Sequence, residues 1–259
     1  MEYILENKPL KFKHKVINRV NSLLKTMGQN YALVKRRTLY YNYLWRNAHR
    51  KIDLKQLPGF SSIASQIIDD QTTTLNYDRL YTLWQAVLHI PSADSPLAEI
   101  GTYRGGSAKF IIETLKQERY ENQFYIFDTF EGHVLVDESI DGKHRIGTFG
   151  DTSYEQVKAY LNSPSATIYK GNFLETAQQI EKIRNFGMVH IDVDVYPVTK
   201  FCLEFFGVRT IPGSVIIVDD YGFITCKGAK KAADEFIHDN PNFKLFHLLT
   251  GQALIVRIS

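Results

Sequence analysis

Two short runs end apolar stretches with paired acids: "VHIDVDVYP" (189–197) and "SVIIVDDYGF" (214–223). In an extended strand, residues two apart face the same side. On that pattern Asp192 and Asp194 converge on one spot, where they repel unless a cation or an acidic proton lies between them. Asp219 and Asp220 end a second apolar run in the same way. Carboxylates gathered at neighbouring strand ends make an oxygen-rich, anionic site of the kind hard divalent cations such as Mg²⁺ take. Single acids after strands commonly cap helices or face water; two acid pairs beside a ligand-type turn are harder to explain that way.

The turn in question is "AEIGTYRGGSA" (98–108), where a strand runs through glycines into a helix that opens near Gly106 and Ser107. Glycines let the backbone approach a ligand, and a helix N-terminus presents free N–H groups. The spacing Gly101-x-x-x-Gly105-Gly106 differs from the dinucleotide fingerprint. Glu99, just before the first glycine, would repel a pyrophosphate but suits a ligand with a cationic amine. Asp128, closing "FYIFD", stands where an acid accepts hydrogen bonds from a ribose diol; the competing role is an N-cap. In "YKGNF", Gly171 and Phe173 could form one wall of an adenine slot, or Phe173 could be ordinary core.

Stepping outward, the elements that must hold these residues alternate short apolar runs with amphipathic helices, which implies βαβ units and a parallel sheet. Strands are predicted at 96–101, 124–128, 166–171, 188–192, 214–220, 243–249 and 252–259. The last two are joined by Thr250-Gly251, so short a connection that they must pair antiparallel. Helices are predicted at 78–90, 105–117, 153–161, 198–206 and 227–239, the third opening on a Ser153–Gln156 capping box. The segment 131–152 fits no element. Its glycines and mixed charge predict a mobile loop at the C-terminal edge of the sheet. From it His133 could reach a substrate or sit on the surface, while His190, inside a strand, is expected in the core or behind the acids. Thr72 to Thr74 could touch a ligand or cap a helix, and Tyr196 could stack on a sugar or simply pack.

The 259 residues are 44% apolar and 23% charged, which excludes a disordered chain and suffices for one large α/β domain or two small ones. A net charge of +3 conceals an asymmetry: residues 1–51 hold twelve Lys/Arg against two Glu. This basic arm, helical by its Val16, Ile17, Val20, Leu23, Leu24, Met27 stripe, could seek phosphate, an anionic membrane surface or a sister subunit, or be a solvated face. It lacks the aromatic interleaving of a nucleic-acid platform. The N-terminal residues do not read as a secretory signal. Cys202 and Cys226 are expected as reduced thiols, which predicts a cytoplasmic protein, peripheral to the inner membrane face if the arm binds lipid.

The combined pattern "EIGTYRGGSA…FDTFEG…KGNF…HIDVDVY…PGSVIIVDDYG…GAKKAADEF" resembles the macrocin O-methyltransferase family over about residues 60–259, leaving 1–59 as the arm. The resemblance implies a Rossmann-like, class I S-adenosylmethionine-dependent methyltransferase fold: a seven-stranded, mostly parallel sheet with a C-terminal antiparallel hairpin. It implies Asp192, Asp219 and Asp220 as ligands of Mg²⁺ and Asp194 as general base. Glu99, Gly101, Tyr103, Gly106, Ser107, Asp128, Gly171 and Phe173 would then surround S-adenosylmethionine. The expected acceptor is a sugar hydroxyl on a small molecule or glycan, with a homo-oligomer as the working assembly. A catechol-like phenol acceptor, or a binding module without turnover, are the alternatives.

Overall fold

The computed structural model describes residues 57–259; the predicted basic arm lies outside the described residues. The first described helix, α1 (Pro58–Asp69), was not anticipated from sequence. Its signals are ordinary ones, a proline in the first turn and Phe60, Ile63, Ala64 and Ile67 buried at helical spacing. Helix α2 (Tyr77–Leu88) follows, then β1 (Leu97–Ile100), α3 (Gly106–Glu118), β2 (Phe124–Asp128), α4 (Tyr154–Leu161) and β3 (Ala166–Lys170). A one-turn helix α5 (Phe173–Thr176) runs into a 3₁₀ turn at Ala177–Ile180. The chain continues through β4 (Phe186–Ile191), α6 (Tyr196–Gly207), β5 (Thr210–Val218), α7 (Lys227–Asp239), β6 (Phe243–His247) and β7 (Ala253–Arg257).

All seven predicted strands form, in the order β3-β2-β1-β4-β5-β7-β6. Strands β1 to β5 pair in parallel, while β7 runs antiparallel to both β5 and β6. Strand order reverses between β1 and β4, which is where open α/β sheets leave a crevice at their carboxyl ends. Alternation splits the strand residues between two layers. Ala98, Ile100, Val189, Ile191, Ile216 and Val218 face a core built with α5, α6 and α7. Leu97, Met188, Val215 and Ile217 face a core built with α1 to α4. Glu99 and His190 fall on this second face, as register partners on adjacent strands.

Two expectations need correction. Ser153 is the N-cap of α4, yet its side chain makes no capping hydrogen bond, so the predicted box with Gln156 does not form. Segment 131–152 has no helix or strand, as expected, but it is not a free loop. The amide of His133 donates to Thr148 O and that of Gly147 to His133 O, at 2.9 and 2.8 Å. Asp141 is buried and its carboxylate accepts from the Tyr196 amide at 2.9 Å, pinning the segment to the start of α6. The carboxylate supplies the order that the glycine content alone argues against.

Phe206 is fully buried, stacked at 5.6 Å on Phe173 and edge-on to Phe186 at 5.1 Å. Phe206→Ala is expected to cost about 3–5 kcal/mol, read from denaturant unfolding.

Candidate functional site

A cavity of about 380 Å³ opens at the β1/β4 switch point, within the size range of small-ligand sites. The glycine turn after β1 forms one wall. Gly101 and Gly105 have φ of +85° and +84°, and Tyr103 between them +50°. A Cβ on Gly101 would lie 2.0 Å from the carbonyl oxygen of Asp192, so only glycine lets the two strand ends approach this closely. Asp128 fastens the turn. Its Oδ2 accepts from the amides of Thr102 and Tyr103, both at 2.8 Å, and its Oδ1 from Phe130 at 2.7 Å. The carboxylate nonetheless faces the cavity together with Gly101, Tyr103, Gly171 and Phe173.

Three residues expected around a cofactor do not line the cavity. Gly106 donates its amide to Thr72 O at 3.2 Å, so this helix N-terminal N–H is already used. Ser107 is buried and does not line the cavity. Glu99 is fully buried on the second face of the sheet, where its Oε1 meets His190 Nδ1 at 2.9 Å. Its distance from the ligand space follows from alternation: Ile100 and Gly101 face the cavity and Glu99 turns inward. Among the secondary candidates Thr74 lines the cavity, while the hydroxyl of Tyr196 donates to Glu235 at 2.7 Å, outside it.

The acids meet, though not by the route expected. Strand β4 ends at Ile191, and Asp192 and Asp194 lie beyond it. The amide of Val195 donates to Val193 O at 2.6 Å, closing a three-residue turn with Asp194 at its apex, φ +61°. That left-handed conformation is unfavourable for a side-chain-bearing residue, and it is this turn, not strand pleating, that aims Asp194 at the cavity. Carboxylate oxygens of Asp192, Asp219 and Asp220 lie within 4.8 Å of one another, and Asp194 and Asp220 form a second close group with the Cys226 thiol. Asp192, Asp194 and Asp220 line the cavity, with the fully buried Asp219 behind them.

Two cations offset this charge. His190 is completely buried, with Nδ1 on Glu99 and Nε2 3.5 Å from Asp219 Oδ1. Burial disfavours its charged form, but the Asp219 and Glu99 carboxylates outweigh that and push its pKa up to about 10, so it is an imidazolium near neutrality. Arg79, in the first turn of α2, forms an ion pair with Asp219, lies 3.6 Å from Asp220 Oδ1 and donates to Thr74 O at 2.9 Å. Gln252 Nε2 completes the shell of Asp219 at 2.7 Å. With these partners the Asp219 carboxyl is held below its usual range, despite burial. Asp192 and Asp220 go the other way: burial and the neighbouring carboxylates push Asp192 up to about 8 and Asp220 well above its ordinary value. Asp194 is lowered to about 2, burial being outweighed by hydrogen bonding from the facing His133 ring and from Asp220. Carboxyls forced to hold protons beside ionised ones are a donor set short of positive charge, which a hard dication fits.

Arg79 and His144 were missed in the sequence. Arg79 sits in a helix that reads only as amphipathic, and His144, buried against Thr225 O at 3.2 Å, in a segment of no regular structure. His133, open between substrate contact and surface, has a side chain only 9% exposed and lines the cavity.

Residues 98–221 match a protein family described as a methyltransferase domain. That match spans a little under half of the chain. A curated relative, an 8-demethyl-8-(2,3-dimethoxy-alpha-L-rhamnosyl)-tetracenomycin-C 4'-O-methyltransferase of Streptomyces olivaceus, is 28% identical over 145 residues, 51% of this chain and 55% of the relative. The chain thus spans about half the length of the curated relative it matches. The solved structure of the O-methyltransferase NovP superposes with a TM-score of 0.64 at 22% identity, covering 73% of this chain and 82% of that one. The calicheamicin methyltransferase CalS11 gives a TM-score of 0.53 at 17% identity over 99% of each chain. The Rossmann-like fold of these solved structures is therefore the fold of this chain's described residues, as the motif resemblance implied.

His190→Gln keeps a hydrogen-bond donor but removes the buried charge, and should cost about 3–5 kcal/mol in denaturant unfolding. Because the folded pKa is raised, the stability His190 lends is complete below about pH 6.5 and is lost as pH rises through about 10. Wild-type stability should fall across that window and the His190→Gln profile should lack the decline; parallel profiles would remove the imidazolium from the account.

Proposed function

We propose that this chain is an S-adenosylmethionine-dependent O-methyltransferase, assisted by Mg²⁺, whose acceptor is a sugar hydroxyl on a small molecule or glycan. The observation carrying this reading is that the carboxylates of Asp192, Asp194 and Asp220, with Asp219 buried behind them, gather at the cavity whose wall is the glycine turn with Asp128, Gly171 and Phe173. The sugar as acceptor class is supported by the printed activity of the Streptomyces olivaceus relative, a rhamnosyl 4'-O-methyltransferase.

S-adenosylmethionine supplies, when bound, an electrophilic methyl group on a positively charged sulfur. Gly101 and Gly171 leave room for the ligand at the backbone, Asp128 offers remaining lone pairs to a diol, and Phe173 presents an apolar face. Asp192, Asp219 and Asp220 would hold Mg²⁺, which lowers the pKa of a hydroxyl it coordinates and so makes alkoxide accessible near neutral pH. Arg79, paired with Asp219 and Asp220 in this structure, would offset part of their charge beside the ion. Asp194 stays ionised near neutrality and takes the hydroxyl proton on a carboxylate oxygen as the oxygen–methyl bond forms and the carbon–sulfur bond breaks. The left-handed turn fixes this carboxylate without relying on side-chain packing. Val134, Leu135 and Phe149, from the segment tied down through Asp141, line the cavity and exclude water. Alignment of acceptor and methyl supplies much of the rest of the rate.

Incubation with labelled S-adenosylmethionine and a panel of glycosides, nucleotide sugars and catechols tests the acceptor class; turnover restricted to catechols would overturn it. A chelator should abolish transfer and Mg²⁺ restore it, whereas full activity in excess chelator contradicts the metal role. Asp194→Asn should reduce kcat by roughly 10²–10⁴. Its thermal melt should match wild type, because asparagine tolerates the left-handed conformation. Asp192→Asn should instead weaken Mg²⁺ binding.

A further inference from the structure

Asp194 also belongs to a cluster of different chemistry. One ring nitrogen each of His133 and His144 and a carboxylate oxygen of Asp194 lie within 4.8 Å of one another. Two imidazoles and a carboxylate are a borderline donor set, unlike the all-oxygen set of Asp192, Asp219 and Asp220. We propose that His133, His144 and Asp194 form a second cation site, selective for late first-row divalent ions such as Zn²⁺ and Co²⁺ over Mg²⁺.

Several independent observations support it. Nε2 of His133 is buried and has no hydrogen-bond partner, on a side chain 91% shielded from solvent. It points at Asp194 Oδ2 from 3.5 Å, beyond the ordinary hydrogen-bond range, so a buried polar atom stands unmet with the space of a ligand in front of it. His144 is anchored through Nε2 to the Thr225 carbonyl at 3.2 Å. A carbonyl only accepts, so that nitrogen carries a proton and Nδ1 is the ring atom left to meet an ion. A backbone carbonyl holding one ring nitrogen is the usual support of a metal-binding histidine. The two rings meet edge to face with centroids 5.2 Å apart, and Phe149 packs on His133 at 5.7 Å, which limits their rotation. The Cys226 thiol, 3.4 Å from Asp194 Oδ1, adds a softer atom at the margin and further disfavours Mg²⁺. All four residues border the same cavity, so an ion has an entry path.

Binding at this site stands whether or not Asp194 is the general base. Its consequence for turnover rests on that reading: an ion coordinated by Asp194 takes the base out of service, so Zn²⁺ would inhibit an enzyme that Mg²⁺ supports.

The full chain, stripped with chelator and then saturated with Mg²⁺ to fill the all-oxygen site, is titrated with Co²⁺ while its visible absorption is recorded. One equivalent should bind with the intense bands of a low-symmetry nitrogen–oxygen environment, and Zn²⁺ should displace it. His133→Ala and His144→Ala should each weaken Co²⁺ binding by at least the roughly 10–100-fold that loss of a merely supporting partner costs. Asp192→Asn should leave it within a few-fold. His133→Gln, which preserves volume, repeats the test should either alanine variant melt early. Loss of the Co²⁺ signal in Asp192→Asn but not in His133→Gln would place the ion among the three aspartates and overturn the proposal, as would absence of any binding under Mg²⁺. No turnover is needed for this readout, so its failure is separable from failure of the methyl-transfer reading, which the labelled-cofactor assay reports.

Discussion

Unbalanced negative charge in a confined space is the constraint on which the rest of this structure turns. Five carboxylates, those of Glu99, Asp192, Asp194, Asp219 and Asp220, gather at the carboxyl ends of β1, β4 and β5, and among the described residues His190 and Arg79 bring positive charge to them. In a low-dielectric interior such crowding is tolerated only with paired charges or bound protons, and both are present: Asp219 is paired, while Asp192 and Asp220 have affinities for protons far above the ordinary. The sheet supplies the arrangement. Register places Glu99 beside His190, and alternation points His190 to the face from which α2 delivers Arg79.

That compensation separates structural from reactive carboxylates without different residue types. Asp219 has partners on both oxygens, Gln252 on one and Arg79 on the other. Asp194 has no such cage. It owes its position to backbone strain at φ +61° and faces open cavity on one side and two histidines on the other. Its side-chain partners are weaker ones, the Cys226 thiol 3.4 Å from Oδ1 and His133 Nε2 3.5 Å from Oδ2.

The sheet was legible from sequence because its strands are short, apolar and separated by amphipathic helices, and the hairpin because two residues cannot make a parallel crossover. The meeting of the acids was legible too, but for the wrong reason: pleating was expected to align Asp192 with Asp194, and a tight turn does it. Glu99 was read at the end of β1, but its place beside His190 on the second face of the sheet is visible only once strands are paired. Arg79 and His144 lay hidden because their contacts span about 140 and 81 positions respectively and no local pattern marks a long-range partner. Segment 131–152 was recognised as lacking regular structure, while the buried Asp141 that orders it offers no signal in a window of polar residues.

The near-contact of Gly101 with the Asp192 carbonyl has a consequence for how such a protein can change. With 2.0 Å separating a hypothetical methyl from that oxygen, the donor-side bend and the acid-bearing bend have no slack between them. Any drift in one is passed to the other, so substitutions that reshape this wall of the cavity also reshape the anionic floor. Change is thereby steered to lining residues away from the shared joint, such as those of 131–152.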